Sequence, residues 1–162
     1  MLGGLRGKRG SSDAGRRGLV VVSNSSVIIA LARICRLDLL EKLFREILVP
    51  EAVWREVTVR GKPGSEKVLR ADFVRVGKVC SRRLVSLLKE FIDEGEAEAA
   101  VLALEAKADL LLVDDRDARR LGLQVMGTLG VLALAKYNGL VPKIKTDSKR
   151  ACREGLLYIS TR

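Results

Sequence analysis

The chain has 162 residues, enough for one domain with a real core and too few for two. Its composition, 48% hydrophobic and 31% charged, is globular, and aromatics at 4% leave the core to Leu, Val, Ile and Ala. A formal charge of +10 and a pI near 10.0 predict attraction to polyanions such as RNA, DNA or anionic lipid, while no apolar run reaches the ~18 residues of a membrane span.

Residues 1–18 are rich in Gly, Ser and Arg and lack the apolar stretch of a secretory signal, so they read as a flexible basic tail. Arg6, Lys8, Arg9, Arg16 and Arg17 against Asp13 give that tail a net +4 and leave +6 for the domain at 19–162. Leu19-Val20-Val21-Val22-Ser23 is β-branched and apolar on both faces, as in a buried parallel strand. Asn24-Ser25-Ser26 then offers cap residues before Val27-Ile28-Ile29-Ala30-Leu31-Ala32, where a helix should start. Asn24 therefore falls at a strand's carboxyl end, where open α/β sheets place their binding crevice.

A helix is predicted over 37–44 and a strand over 47–49, and Pro50 as the first helical residue opens a helix over 51–59. Gly61-Lys62-Pro63-Gly64 breaks the chain before a short helix over 65–71, and Phe73, Val74 and Val76 form a further strand. Two helices follow over 81–91 and 95–106. Leu84, Leu87, Leu88 and Phe91 recur at helical spacing on the first and should cover the sheet. Leu110-Leu111-Leu112-Val113 is a second strongly apolar strand, followed at once by Asp114-Asp115-Arg116-Asp117 and a helical segment through Leu121. Val125 ends a weak strand, Thr128 caps a helix over 129–137, and Asn138-Gly139 stops it. A polar helix around 147–154 and an edge strand over 156–159 complete the prediction.

The acids fall at the start of the helix over 95–106, after the strand at 110–113, and at Glu56 inside the helix over 51–59. With Asn24 they can converge above one sheet edge. Such hard oxygen ligands suit Mg²⁺ or Mn²⁺, which activate water and neutralise a phosphodiester transition state. The chain has no histidine, which removes His-based acid–base schemes and His-ligated zinc. Cys35, Cys80 and Cys152 are odd in number and form no C-x-x-C pair, so a zinc site or disulfide framework is not suggested and a reducing cytoplasm fits. Only Asn24, Asn138 and Gln124 carry side-chain amides, which leans toward a thermophilic source.

Five blocks in order resemble the PIN domain family, and within it the prokaryotic subgroup related to toxin ribonucleases of toxin–antitoxin pairs. They are Val22-Ser23-Asn24-Ser25-Ser26 with the helix after it, Leu48-Val49-Pro50-Glu51-Ala52-Val53-Trp54-Arg55-Glu56-Val57, Gly95-Glu96-Ala97-Glu98-Ala99-Ala100, Leu111-Leu112-Val113-Asp114-Asp115-Arg116-Asp117-Ala118-Arg119 and Gly127-Thr128-Leu129-Gly130-Val131-Leu132. The resemblance implies a three-layer α/β/α domain with a mainly parallel sheet and a Mg²⁺- or Mn²⁺-dependent endoribonuclease. It also implies RNA as substrate, a homodimer and an antitoxin partner. Glu56 becomes the second acid of the family cluster, Glu96 the third with Glu98 as its substitute, and Asp114, then Asp115, the fourth, with Asp117 behind them. The first acid of the family pattern is an aspartate, where this chain has Asn24.

Losing that negative charge should weaken divalent binding. The rival reading is therefore an RNA-binding PIN relative that no longer cuts. A receiver or nucleotide switch is disfavoured because no glycine-rich phosphate loop follows either strong strand. Other features have plainer readings. The acids at 93–98 also suit the positive end of a helix dipole, Glu56 suits an ion pair with Arg60, and one of Asp114 and Asp115 suits a helix cap. Ser26 and Thr128 read as caps, with Ser26 also a partner for residue 24. Arg116, Arg119 and Arg120 share a helix face beside the site, placed for phosphates or for pairing with Asp115 and Asp117. Trp54 reads as a core or dimer contact.

Overall fold

The computed structural model describes residues 18–115 and 121–141. The basic tail through Arg17, Arg116, Asp117, Arg119 and Arg120, Cys152, and the elements predicted over 147–154 and 156–159 lie outside the described residues. The elements run β1 (Val21–Ser23), α1 (Ser25–Arg33), α2 (Asp38–Phe44), β2 (Ile47–Pro50), α3 (Glu51–Val57), α4 (Ser65–Leu69), β3 (Val74–Gly77), α5 (Arg82–Leu88), α6 (Glu94–Glu105), β4 (Leu110–Leu112), β5 (Val125–Met126) and α7 (Thr128–Tyr137). No helix among the described residues is long and apolar enough to cross a membrane.

The strands form one five-stranded sheet in the order β3-β2-β1-β4-β5, every pair parallel. Because successive side chains of a strand point to opposite faces, β1 and β4 feed both sides. Val21 and Leu112 enter a core with α1, α2, α3 and α7, while Val22, Leu111 and Val113 enter a second core with α5 and α6. Apolar residues on both faces of a parallel strand need helices over both, and the outcome is the expected three-layer α/β/α domain.

The chain builds outward from β1 through β2 to β3, then crosses back to place β4 on the other side of β1. That reversal is the topological switch point, where neighbouring loops diverge and leave a crevice beyond the strand ends. Asn24 leaves β1 on one side of it and Asp114 follows β4 on the other. The backbone N–H of Asn24 still donates to Leu112 O at 2.9 Å, so the crevice opens one residue past the last paired strand positions.

Several local expectations are corrected. Pro50 ends β2 with ψ 165° and stands before the first residue of α3 rather than within it. That helix stops at Val57, where the Thr58 hydroxyl folds back to donate to Trp54 O at 2.7 Å. Val125 begins rather than ends its strand, which runs to Met126. Leu84, Leu87 and Phe91 do not cover the sheet: Phe91 is 82% exposed and both leucines are exposed. The core-facing stripe is buried Val85 with half-buried Leu88 and Ile92, one residue further round, and the helix predicted over 81–91 ends at Leu88. One residue is ~100° of helix rotation, and both stripes are apolar, so periodicity by itself does not choose between them. Trp54 is half-buried and packs on the first core.

Candidate active site

Asn24 is extended, with φ −86° and ψ 179°, and caps α1. Its Oδ1 accepts two hydrogen bonds, from the Ser26 N–H at 2.9 Å and from the Ser26 hydroxyl at 2.6 Å. Both lone pairs of the amide oxygen are thereby used. Asn24 is buried, 2% exposed, and its Nδ2 donates no hydrogen bond among the described residues, so the NH₂ faces the voids that the residue lines. Asn24 shares that space with Glu96 in two adjoining voids. Residue 24 therefore presents a donor where a cation needs an oxygen. Turning the amide over would set its NH₂ against the Ser26 N–H and forfeit that bond, which costs about 1–3 kcal/mol.

The larger void is a cleft of about 300 Å³ lined by Asn24, Ser26, Arg33, Glu56, Asp93 and Glu96, with Ser25, Ile29, Ala30 and Gly95 between them. Glu56 comes from α3, which the chain enters straight from β2. Its Oε2 lies 3.6 Å from where a Cβ on Gly95 would stand, so α3 and α6 meet closely at this point. Glu56 is exposed and forms neither a hydrogen bond nor an ion pair among the described residues, the expected link to Arg60 included. Glu96 is half-buried in the first turn of α6.

Glu98, the substitute for Glu96, is used differently. It is 1% exposed, it accepts from the Ala52 N–H at 3.1 Å, and Arg82 Nη1 reaches it at 2.5 Å. The carboxylate thus satisfies an orphan donor in the first turn of α3. It does not line the cleft and ties the helix bearing Glu96 to the helix bearing Glu56.

Asp114 is linked to Asn24 through Ser26, because its N–H donates to Ser26 Oγ at 3.3 Å and that hydroxyl donates to Asn24 Oδ1. Its carboxylate takes the Thr128 N–H on one oxygen and the Thr128 hydroxyl on the other, each at 2.6 Å. Thr128 is therefore not the cap of α7 but its first residue, held from outside by Asp114. The capping role weighed for the acids after β4 is real, though for a different helix. Gly127 permits it: a Cβ there would stand 2.6 Å from Asp114 Oδ1. Asp115 follows, half-buried, and neither acid lines the cleft.

The structure thus brings Asn24, Glu56 and Glu96 to one cleft, with Asp114 alongside. Among the described residues no three Asp, Glu or Cys side chains converge closely enough to hold a metal ion. Glu56 and Glu96 have the donor chemistry a divalent cation wants, and residue 24 does not. Sequence reasoning missed two cleft residues. Asp93 was read only as a helix-end charge, and Arg33 went unremarked although it shares the helix face of Ser25, Ser26, Ile29 and Ala30.

Residues 20–157, most of the chain, match a family model described as a PIN domain. Among curated proteins, none matches the chain.

Proposed function

The chain belongs to the PIN domain family, whose members have nuclease-type function, and from that premise we propose that it acts on single-stranded RNA as a divalent-cation-dependent endoribonuclease attenuated at Asn24. The observation that carries this reading is the meeting of Glu56, Glu96 and Asn24 in one cleft beside the switch point of the sheet. Glu56 and Glu96 are the groups that would hold Mg²⁺ or Mn²⁺, and the cation, when bound, supplies charge neutralisation at the phosphodiester and activation of water. Ser26 holds residue 24 in place through two bonds and joins it to Asp114 through a third. Asp114 and Asp115 complete the acidic set next to the cleft, and Arg116, Arg119 and Arg120 would add phosphate contacts.

Asn24→Asp is the decisive change. Its cap oxygen keeps the Ser26 bonds while the second carboxylate oxygen replaces Nδ2, turning a donor into a ligand in the space shared with Glu96. Cleavage of a labelled single-stranded RNA in Mn²⁺ should rise at least ~10-fold in Asn24→Asp, equivalent to ~1.4 kcal/mol of transition-state stabilisation, and fall back when Glu96→Gln is added. If Asn24→Asp neither cuts RNA nor binds Mn²⁺, the nuclease reading is lost.

One observation favours a second reading, an RNA-binding domain without cleavage: the Asn24 amide oxygen is already taken by the two Ser26 bonds, which leaves the residue an N–H donor rather than an oxygen for a cation. In that case RNA affinity is the same with and without Mn²⁺. A homodimer and an antitoxin-type protein partner belong to the same proposal, supported by the exposed apolar stripe of Leu84, Leu87 and Phe91. A monomeric mass in light scattering would remove the homodimer.

A further inference from the structure

The cleft does not end at the acids. Ser25, Ser26, Ile29, Ala30 and Arg33 continue its wall along α1, a single stripe of that helix because residues three and four apart share a face. From Asn24 to Arg33 is about 13 Å of helix axis at ~1.5 Å per residue. Side chains on a helix lean toward its N-terminus, which brings the guanidinium back toward the acids. The wall thus runs from polar Asn24 and Ser26, across apolar Ile29 and Ala30, to a cation.

Arg33 is half-buried and is the one basic side chain lining this cleft among the described residues. Glu56, Asp93 and Glu96 line the same space, yet Arg33 forms no ion pair or hydrogen bond with any described residue. A guanidinium carries five N–H donors, and partly burying it without acceptors is unfavourable unless an anion completes it. Its place in the last turn of α1 suits the helix dipole, but the dipole does not account for a side chain turned into an acid-lined cleft.

We propose that Arg33 holds a phosphate of single-stranded RNA flanking the one presented to Glu56 and Glu96, with the intervening sugar and base lying over Ile29 and Ala30. This rests on the reading of the cleft as the RNA site. The flanking phosphate, rather than the scissile one, is assigned because the length of α1 separates Arg33 from Asn24, the end of the cleft that Glu96 shares.

The test is fluorescence anisotropy of a labelled single-stranded oligoribonucleotide titrated with the full chain in EDTA, repeated from about 50 to 200 mM salt. Arg33→Gln should weaken binding roughly 5–10-fold and lower the slope of log affinity against log salt by ~0.7, the loss of one single-strand phosphate contact. Arg33→Lys should keep the slope and lose a few-fold in affinity, since an ammonium cannot make the bidentate contact. Arg75→Gln, on β3 at the sheet edge and paired with Glu46 at 3.1 Å, is the control for general charge. An unchanged slope in folded Arg33→Gln, or an equal drop in Arg75→Gln, overturns the proposal. Cleavage by Asn24→Asp in Mn²⁺ separates it from the nuclease reading. If that variant fails to cut while Arg33→Gln still lowers the slope, the Arg33 site stands and the nuclease reading falls. If it cuts and the slope is unchanged, the reverse holds.

Discussion

Removing Glu98 should loosen the junction between α3 and α6, and the size of the effect follows from what that carboxylate touches. Glu98→Ala leaves the Ala52 N–H without its acceptor, about 1–3 kcal/mol, and removes one buried methylene at ~0.8 kcal/mol. Its ion pair adds little, about 1 kcal/mol at most, because the Arg82 side chain is 52% exposed while that of Glu98 is 2% exposed. Relief of the desolvated charge offsets part of this, leaving a net loss of about 2–3 kcal/mol. At ~2–4 °C per kcal/mol for a domain of this size, thermal unfolding should fall by about 5–10 °C. Arg82→Met, which strands the buried charge, should cost about 1–3 kcal/mol, and the double variant should lose less than the two single losses together. Urea titration of the four proteins completes the cycle. A Glu98→Ala protein within ~0.5 kcal/mol of wild type, or strict additivity with Arg82→Met, would refute the clamp. The same loosening should weaken Mn²⁺ binding in the Asn24→Asp background, since Glu56 and Glu96 ride on the two helices that Glu98 joins.

Gly64 has φ +86°, and a Cβ there would stand 2.6 Å from the Ala32 Cβ of α1, so Gly64→Ala combines backbone strain with overpacking. A loss of about 2–4 kcal/mol is expected by denaturant unfolding, and a change under ~1 kcal/mol would mean that α4 shifts freely. Glu105 accepts the N–H groups of Cys80 and Ser81 ahead of α5, and the first of these bonds does most to lower its carboxyl below the ordinary 4.5. A lowered folded pKa gives stability that is present above pH 4.5 and lost as the pH falls through the folded value. The Tm difference between wild type and Glu105→Ala should therefore hold steady above that pH and close below it. A gap independent of pH through that window would show that the backbone bonds do not depend on the charge.

Much of the scaffold was legible because it is written locally. Val21 and Val22, or Leu111 and Leu112, are apolar on both faces within a few residues, and that pattern has one comfortable place, the middle of a covered parallel sheet. Asn24 before an apolar helix, and Asn138-Gly139 after one, mark ends through backbone bonds made within a turn. The strand-end positions of Asn24 and Asp114 followed from the same short-range signals. Glu56, Glu96 and the departure at residue 24 stood out through resemblance rather than through any local pattern.

The tertiary structure decided the rest, because the deciding contacts join residues far apart in the chain. Glu96 and Glu98 are two positions apart on one helix, about 200° around its axis, and only the arrival of Ala52, 46 residues away, makes one a clamp and leaves the other in the cleft. Asp114 caps α7 because Thr128 arrives with its N–H and hydroxyl, and it touches Ser26 across 88 residues. On α5 two apolar stripes were equally good by sequence, and α6 buries Val85 while leaving Phe91 in water. Arg33 carried no signal at all until α3 and α6 closed the cleft around it. From the sequence came which segments are strands and helices and which residue types stand at the strand ends; from the packing came which way each carboxylate points and what Asn24 offers the cleft. A side chain's chemistry is intrinsic, whereas its direction depends on the neighbours that the fold supplies.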